Sequence, residues 1–376
     1  MNQIINYYPK YEDLDYVVST SGKKKINLFI DLKGCAQSIF QEWVVKLFLE
    51  QSRGCNQVDC SFFYSMLEFI SFHNVYAKKR GLDFNYFIFL ESGNSIYHTE
   101  ILKSYKEKRH SSDFFGLDLA SKDLFFNILN KNYEVMDKVV NKIPKCSFIR
   151  LKYLEADFIP WYVLKYVKPE LQEDCNIIYS MDKDMIQCMQ LNNVYQYFKH
   201  YKKKIILSKH NAIQNFLKNE KLDSDKYINS FCLLLSIIGD ATDEFAGING
   251  IGGSKVIEIL DMLIENSNFT DEKINRKILN KEPLFSNFSG TNNKLLKMVC
   301  ENEELVVRNL KLSSFELLSN YLNENVNTET ILKKKHIFEI VENKNKIQNW
   351  VVLHAALNNM SLQSLNISDI TIQNLF

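Results

Sequence analysis

The chain has 376 residues, 46% of them apolar, with 46 Lys and Arg against 45 Asp and Glu for a net charge of +1. That length and apolar content suffice for one large core, or for one core with an appended helical module. The most apolar run, Phe231 to Ile238, falls far short of the roughly 20 residues that span a bilayer, and the N-terminus has no apolar signal core, so a soluble, non-secreted, cytoplasmic protein without a membrane partner is expected.

Residues 1–24 are polar and Tyr-rich and read as an extension. An apolar run at 26–31 predicts a first strand ending at Asp31, followed by amphipathic helices near 36–50 and 60–79. A second strand, Phe84 to Leu90, ends at Glu91. A long polar and helical insertion follows, with a strand at Cys146 to Leu151, a helix at 155–167, a strand at Asn176 to Ser180 and a late strand at Ile205 to Leu207. Residues 226–239 form a helical pattern reaching Gly239-Asp240, and from about 270 the chain is helical, Asn- and Lys-rich. Strands separated by helices predict an α/β fold with a mostly parallel central sheet flanked by helices. The units are an extension (1–24), an α/β core (25–225), a helix-hairpin-helix element (226–270) and a C-terminal helical module (271–376). The eight cysteines lie far apart except Cys55 and Cys60, which have no further His or Cys pair to complete a zinc site, so reduced thiols are expected.

Five acidic stations occur in order: Asp31, Glu91, Glu155 with Asp157, Asp182 with Asp184, and Asp240 with Asp243. The carboxyl ends of parallel strands converge on one crevice, so acids placed there become neighbours. So many carboxylates in one crevice call for cations. With no His cluster or Cys tetrad to compete, oxygen ligands suit two Mg²⁺ ions, with Mn²⁺ as substitute. Two ions held by carboxylates are what phosphodiester hydrolysis needs, one activating water and one stabilising the leaving oxygen. Taken singly, Asp182 and Asp240 read equally well as helix N-caps; five ordered stations together favour the metal reading.

The last station runs into Gly247-Ile-Asn-Gly250-Ile-Gly252-Gly253-Ser-Lys255, which has the form of a helix-hairpin-helix turn. Its glycines would let backbone N–H groups approach a phosphate, with Lys255 adding charge; an ordinary interhelical turn is the plainer alternative. On the insertion, Lys106 and Arg109 at i and i+3 of a predicted helix would point at one target, holding the scissile phosphate, while Tyr105 stacks on a base. A solvated basic helix face is the commoner fate of such residues. Net charge neither demands nor excludes DNA, since basic clusters at 23–25, 103–109, 199–204 and 333–335 are local.

From about Ile26 to Leu263 these motifs together resemble the 5′-nuclease family of flap endonucleases, polymerase 5′-nuclease domains, bacteriophage 5′→3′ exonucleases and phage ribonuclease H. Asp31 stands at the first strand end, Tyr105 to Arg109 resemble the arch segment, Glu155-Ala-Asp157 the Glu-Ala-Asp station, and Asp182-Lys-Asp184 the paired aspartates. Gly239-Asp240-Ala-Thr-Asp243 before the Gly-rich hairpin is the most specific piece. The resemblance implies a PIN-like nuclease core with a helical arch (about 92–145), and a metal-dependent exonuclease and flap endonuclease acting on 5′ ends, flaps, nicks and RNA–DNA hybrids, as in primer removal. Asp31, Glu91, Glu155, Asp157, Asp182, Asp184, Asp240 and Asp243 would hold two ions, with a K⁺ at the helix-hairpin-helix. Lys106, Arg109 and Glu155 would be catalytic.

This chain departs from the pattern at Glu91, where the family usually has Asp, and at Phe158, where many members add an Asp. Its last residues, with Gln373, Leu375 and Phe376, resemble peptides that dock on a sliding clamp; a frayed tail is the alternative. A DNA polymerase and a single-strand-binding protein are further expected partners. The rival readings are a nuclease-like DNA-binding or scaffold protein without chemistry, and an RNA-cutting PIN-type domain. The hairpin and basic arch favour DNA. Asn-, Lys- and Ile-rich usage fits an AT-rich genome such as a bacteriophage's, which would place the protein in the host cytoplasm or nucleoid.

Overall fold

The computed structural model describes residues 11–32, 61–106, 119–200, 203–267, 269–288, 290–324, 328–342 and 346–347. The predicted helix at 36–50, Cys55, Cys60, Arg109, Gln373, Leu375 and Phe376 lie outside them.

Six strands form one sheet: β1 (Lys25–Asp31), β2 (Asp83–Ser92), β3 (Cys146–Lys152), β4 (Cys175–Tyr179), β5 (Val194–His200) and β6 (Lys203–Leu207), in the order β3-β2-β1-β4-β5-β6. The first five run parallel and β6 runs antiparallel to β5. Besides two short helices at Ala212–Leu217 and Ser224–Tyr227, the α-helices among the described residues are α1 (Tyr11–Ser21), α2 (Ser61–Arg80), α3 (Ile96–Ile101), α4 (Leu119–Val139), α5 (Ile159–Tyr162), α6 (Phe231–Ile238), α7 (Gly253–Ser267), α8 (Asp271–Leu279), α9 (Lys294–Glu301), α10 (Glu303–Ser313), α11 (Phe315–Glu324) and α12 (Thr328–Val341). Sequence reading missed β5, although its Val-Tyr-Gln-Tyr-Phe alternation carries a strand signal. The predicted helix at 155–167 begins only at Ile159 and continues from Val163 to Val167 as a π turn.

Both faces of the sheet are buried, which is why its central strands read as continuous apolar runs. Ile26, Leu28, Ile30, Phe84, Tyr86, Ile88 and Phe148 pack with Leu14 and Val17 of α1, Phe63, Leu67 and Ile70 of α2 and Met136 of α4. The described half of the N-terminal extension is thus a core helix, fixed also by Asp15, which accepts from the Tyr76 hydroxyl at 2.6 Å and from Arg80 at 2.8 Å. On the opposite face Phe29, Phe89, Ile149 and Ile178 pack with α5 and with Phe315, Leu318, Leu322, Ile337 and Ile340. A second core gathers α6, α7, Ile274 of α8, Val299 of α9 and Leu310 of α10. The C-terminal helices therefore complete both cores, and a boundary at 270 crosses each of them. No described helix is long and apolar enough to cross a membrane.

An asparagine ladder, buried at Asn27 and Asn176 and half-buried at Asn85, fixes the register. Asn27 of β1 stands opposite Asn85 of β2 and Asn176 of β4. Asn85 donates to Asn27 Oδ1 at 2.9 Å, and Asn27 donates to Asn176 Oδ1 at 2.9 Å. A slip of one residue would leave these amides unpaired and turn the apolar faces over. At the other end of the same strands, that register brings the acids level.

Candidate metal centre and nucleic-acid interface

Four neighbouring parallel strands deliver carboxylates at or just beyond their carboxyl ends. Asp31 closes β1, Glu91 lies one residue from the end of β2, Glu155 and Asp157 occupy the turn after β3, and Asp182 and Asp184 follow β4. Asp240 and Asp243 arrive from the second core, on a short antiparallel pair, β7 (Gly239–Asp240) and β8 (Phe245–Ala246), at the end of α6. Ser180 donates to Asp31 Oδ2 at 2.7 Å, and Glu91 Oε2 accepts from the Ala156 N–H at 3.3 Å. Asp182 does cap the following turn, accepting from the Asp184 N–H at 2.9 Å. The cap aims the neighbouring acid, so the two readings of Asp182 do not compete.

Sequence reasoning missed Gln196. Its side chain on β5, 1% exposed, donates to the carbonyls of Ser180 at 3.0 Å and Asp182 at 2.6 Å. It pins the backbone that carries the paired aspartates. No local pattern marks such a residue, because its role depends on β5 lying beside β4.

Electrostatics divide the acids into two overlapping groups. Burial first, and then Glu91, Asp182, Asp31 and Glu155, push the Asp157 carboxyl well up. Burial together with Asp182, Asp243 and Asp240 does the same to Asp184. Asp182 borders both groups, and its carboxyl is raised chiefly by burial. Among the described residues Asp184, Asp240 and Asp243 form one triad whose ligand oxygens all lie within 4.8 Å of one another. Asp184 Oδ1 is buried without a hydrogen-bond partner. Three buried carboxylates and an orphaned acceptor fit a hard divalent cation, which would relieve the repulsion and satisfy the oxygen.

Two lysines already reach into this crevice. Lys106 is ion-paired with Glu155 and stands 3.7 Å from Asp243, and Lys183 Nζ lies 2.5 Å from Asp240 Oδ1. Burial alone would raise the Glu155 carboxyl, but His98 and Lys106 prevail and hold it down at about 2. His98, also missed, is 2% exposed. Its Nε2 lies 3.1 Å from the Leu312 carbonyl and 3.7 Å from Glu155, and its Nδ1 lies 2.7 Å from Ser95 Oγ. Burial lowers its pKa.

The structure corrects the reading of Tyr105 and Lys106. They lie in a turn after α3, and Lys106 takes a left-handed φ of 56°, which no α-helix continues through. Tyr105 is 5% exposed, stacked on His98 with ring centroids 4.8 Å apart, and donates to Asp243 Oδ2 at 3.2 Å. Its ring is packed inside the protein and offers no face to a base. Its apolar body belongs to the second core, and that burial outweighs exposure.

Gly247 is likewise a packing glycine. A Cβ there would stand 2.2 Å from the Ile238 carbonyl carbon, and one on Gly239 would stand 2.2 Å from the Gly247 nitrogen. The two glycines let the chain entering and leaving the Asp240–Asp243 hairpin touch backbone to backbone. Gly250 and Gly252 are exposed, with no atom within 4 Å of where a Cβ would stand. Lys255, at the start of α7, folds back to the Gly250 carbonyl at 2.7 Å. Phe158 is fully buried against the sheet, so an apolar contact takes the place at which this chain departs from the resemblance.

No protein-family model and no curated protein matches the sequence. Among solved structures, the chain is similar to the D15 protein of bacteriophage T5 crystallised with metal ions, at 18% identity over 84% of this chain and 100% of that chain, with a TM-score of 0.54. It is also similar to the T5 D15 flap endonuclease in a pseudo-enzyme–product complex with DNA and metal ions, at 18% identity over 84% and 99%, with a TM-score of 0.52. A mutant of T5 5′-exonuclease aligns at 17% identity over 84% and 99%, with a TM-score of 0.51. The mostly parallel sheet, its flanking helices and the acid-bearing strand ends thus form the 5′-nuclease fold.

Proposed function

We propose that this chain is a divalent-metal-dependent 5′ nuclease, acting as a 5′→3′ exonuclease and flap endonuclease on DNA and RNA–DNA junctions during replication. The observation that carries the reading is the convergence of Asp184, Asp240 and Asp243 within 4.8 Å, with Asp184 Oδ1 buried and unpaired, beside a second group of acids at four strand ends. Asp31, Glu91 and Asp157 with Asp182 would hold one ion, and Asp184, Asp240 and Asp243 the other. Bound divalent cations supply neutralisation of the phosphodiester and activation of water.

The chain's own residues do the rest. Glu155, kept ionised by Lys106 and His98, orients water. Lys106 exchanges Glu155 for the scissile phosphate and offsets its developing charge, with Arg109 as a second cation. Tyr105 holds Asp243 rather than a base. The exposed Gly250 and Gly252, with Lys255, take a phosphate of the duplex beyond the cut, where a K⁺ would also bind. The clamp-docking role of Gln373, Leu375 and Phe376, and contacts with a polymerase or single-strand-binding protein, belong to the same proposal.

The test is cleavage of a 5′-labelled flap and of a nicked duplex with Mg²⁺ or Mn²⁺, comparing the native chain with Asp182→Asn/Asp184→Asn. Metal-dependent cutting that disappears in the variant while DNA binding persists supports the nuclease. Tight binding by the native chain without cutting in either metal favours the scaffold reading instead.

A further inference from the structure

Tyr153 has no role in the site described above, and three features of it are unusual together. It is a non-glycine residue at φ 58°, a left-handed conformation that L side chains rarely adopt. Its ring is 52% exposed, the second most exposed of the large apolar side chains among the described residues. It stands two residues before Glu155, at the rim of the acid crevice, since the β2–β3 register pairs Ser92 with Lys152 just below it.

The surroundings hold the ring in place. One side of it lies against Gly93, where a Cβ would come within 2.9 Å of Cδ1 and 3.0 Å of Cε1. The Tyr153 carbonyl accepts from the Ile96 N–H at 3.0 Å, which ties its backbone to the start of α3. Ile96 is itself 38% exposed. Gly93 therefore serves as the bed of an aromatic ring whose remaining surface faces solvent, with exposed Lys152 at the preceding position.

We propose that Tyr153 is a nucleobase platform, on which the base next to the scissile phosphate stacks while Lys152 meets the adjoining phosphate. This rests on the nuclease reading. A flat, pre-positioned ring loses little freedom on binding and accepts any base, because every base has a π-face. The stacked base would fix which phosphate enters the crevice, making Tyr153 a determinant of the cleavage position. It takes the role that buried Tyr105 cannot fill.

The experiment uses the full chain and a 5′-flap DNA carrying 2-aminopurine on either side of the junction, with Ca²⁺ for binding and Mg²⁺ for cutting. In the native chain and in Tyr153→Phe, the fluorescence of one of these bases is expected to be quenched on binding. In Tyr153→Gly the quench should vanish, KM should rise about tenfold, in keeping with the loss of one stacked base, and cuts should spread to neighbouring positions. The same glycine relieves the left-handed backbone, so its Tm should hold or rise. A Tyr153→Gly chain with unchanged quench, KM and cleavage position overturns the platform, as does a fall in Tm without those changes, which would mark a packing ring. A native chain that neither binds nor cuts the flap overturns the nuclease reading itself, and this one with it.

Discussion

Lys183 Nζ lies 2.5 Å from Asp240 Oδ1, so one carboxylate of the candidate metal triad already carries a cation. The lysine sits between Asp182, whose carboxylate caps the turn, and Asp184, which that cap aims into the crevice. An ion entering the triad must displace or repel that ammonium. Lys183→Met should therefore tighten divalent binding at this group by about tenfold, a modest share of the Coulomb energy at such distances once solvent screening is allowed for. Calorimetric titration with Mn²⁺ checks it; an unchanged Kd would show that the ion and the lysine do not compete.

Gly247→Ala should disrupt the hairpin that carries Asp240 and Asp243. The added Cβ meets backbone that has no flexible end to swing away. A loss of about 3 kcal/mol is expected, at the upper end for overpacking, and urea melts of the two proteins measure it. Gly252→Ala, placed in open space, should leave the midpoint unchanged.

Asp271 gives a pH test away from the metal centre. It accepts from the N–H groups of Cys232 and Leu233 at the start of α6, at 2.9 and 3.1 Å, and from Gln190 at 2.7 Å. Burial pushes its carboxyl up to about 6, against these hydrogen bonds. Because the folded state holds this proton more tightly than the unfolded chain, the group's contribution is greatest below about pH 4 and is lost as pH rises through about 6, on the order of 2–3 kcal/mol. Asp271→Asn should flatten that part of the stability profile between about pH 4 and 7. A native profile with the same slope as the variant's would remove the assignment.

Asn27→Ala should cost about 2 kcal/mol, since it leaves the buried amide of Asn176 and the half-buried amide of Asn85 without their shared neighbour. Asn27→Asp tests the donor separately: it keeps an acceptor for Asn85 but removes the donor to Asn176 and buries a charge. Equilibrium denaturation ranks the three proteins, and the native chain should come first by a clear margin.

Much of the site was legible in one dimension because its signals are local. An apolar run that ends in an acid needs only a strand and its last residue to be recognised, and Asp31, Glu91 and the aspartates after β4 stand where those runs place them. The Gly-rich turn before α7 was equally plain, although Gly247 proved to serve Gly239 rather than open space.

By itself, then, the sequence determined the alternation of strands and helices, the order of the acids and the glycine turn, since periodicity and composition act within a few residues. Only the tertiary structure decided that Tyr105 is buried on His98, that Lys106 and Lys183 reach different acids, and that Gln196 and the Asn27 ladder hold the strand ends level. These contacts join residues far apart along the chain. They follow from which strands become neighbours, in which register, and which side chains the second core draws inward, and no window of sequence contains that information.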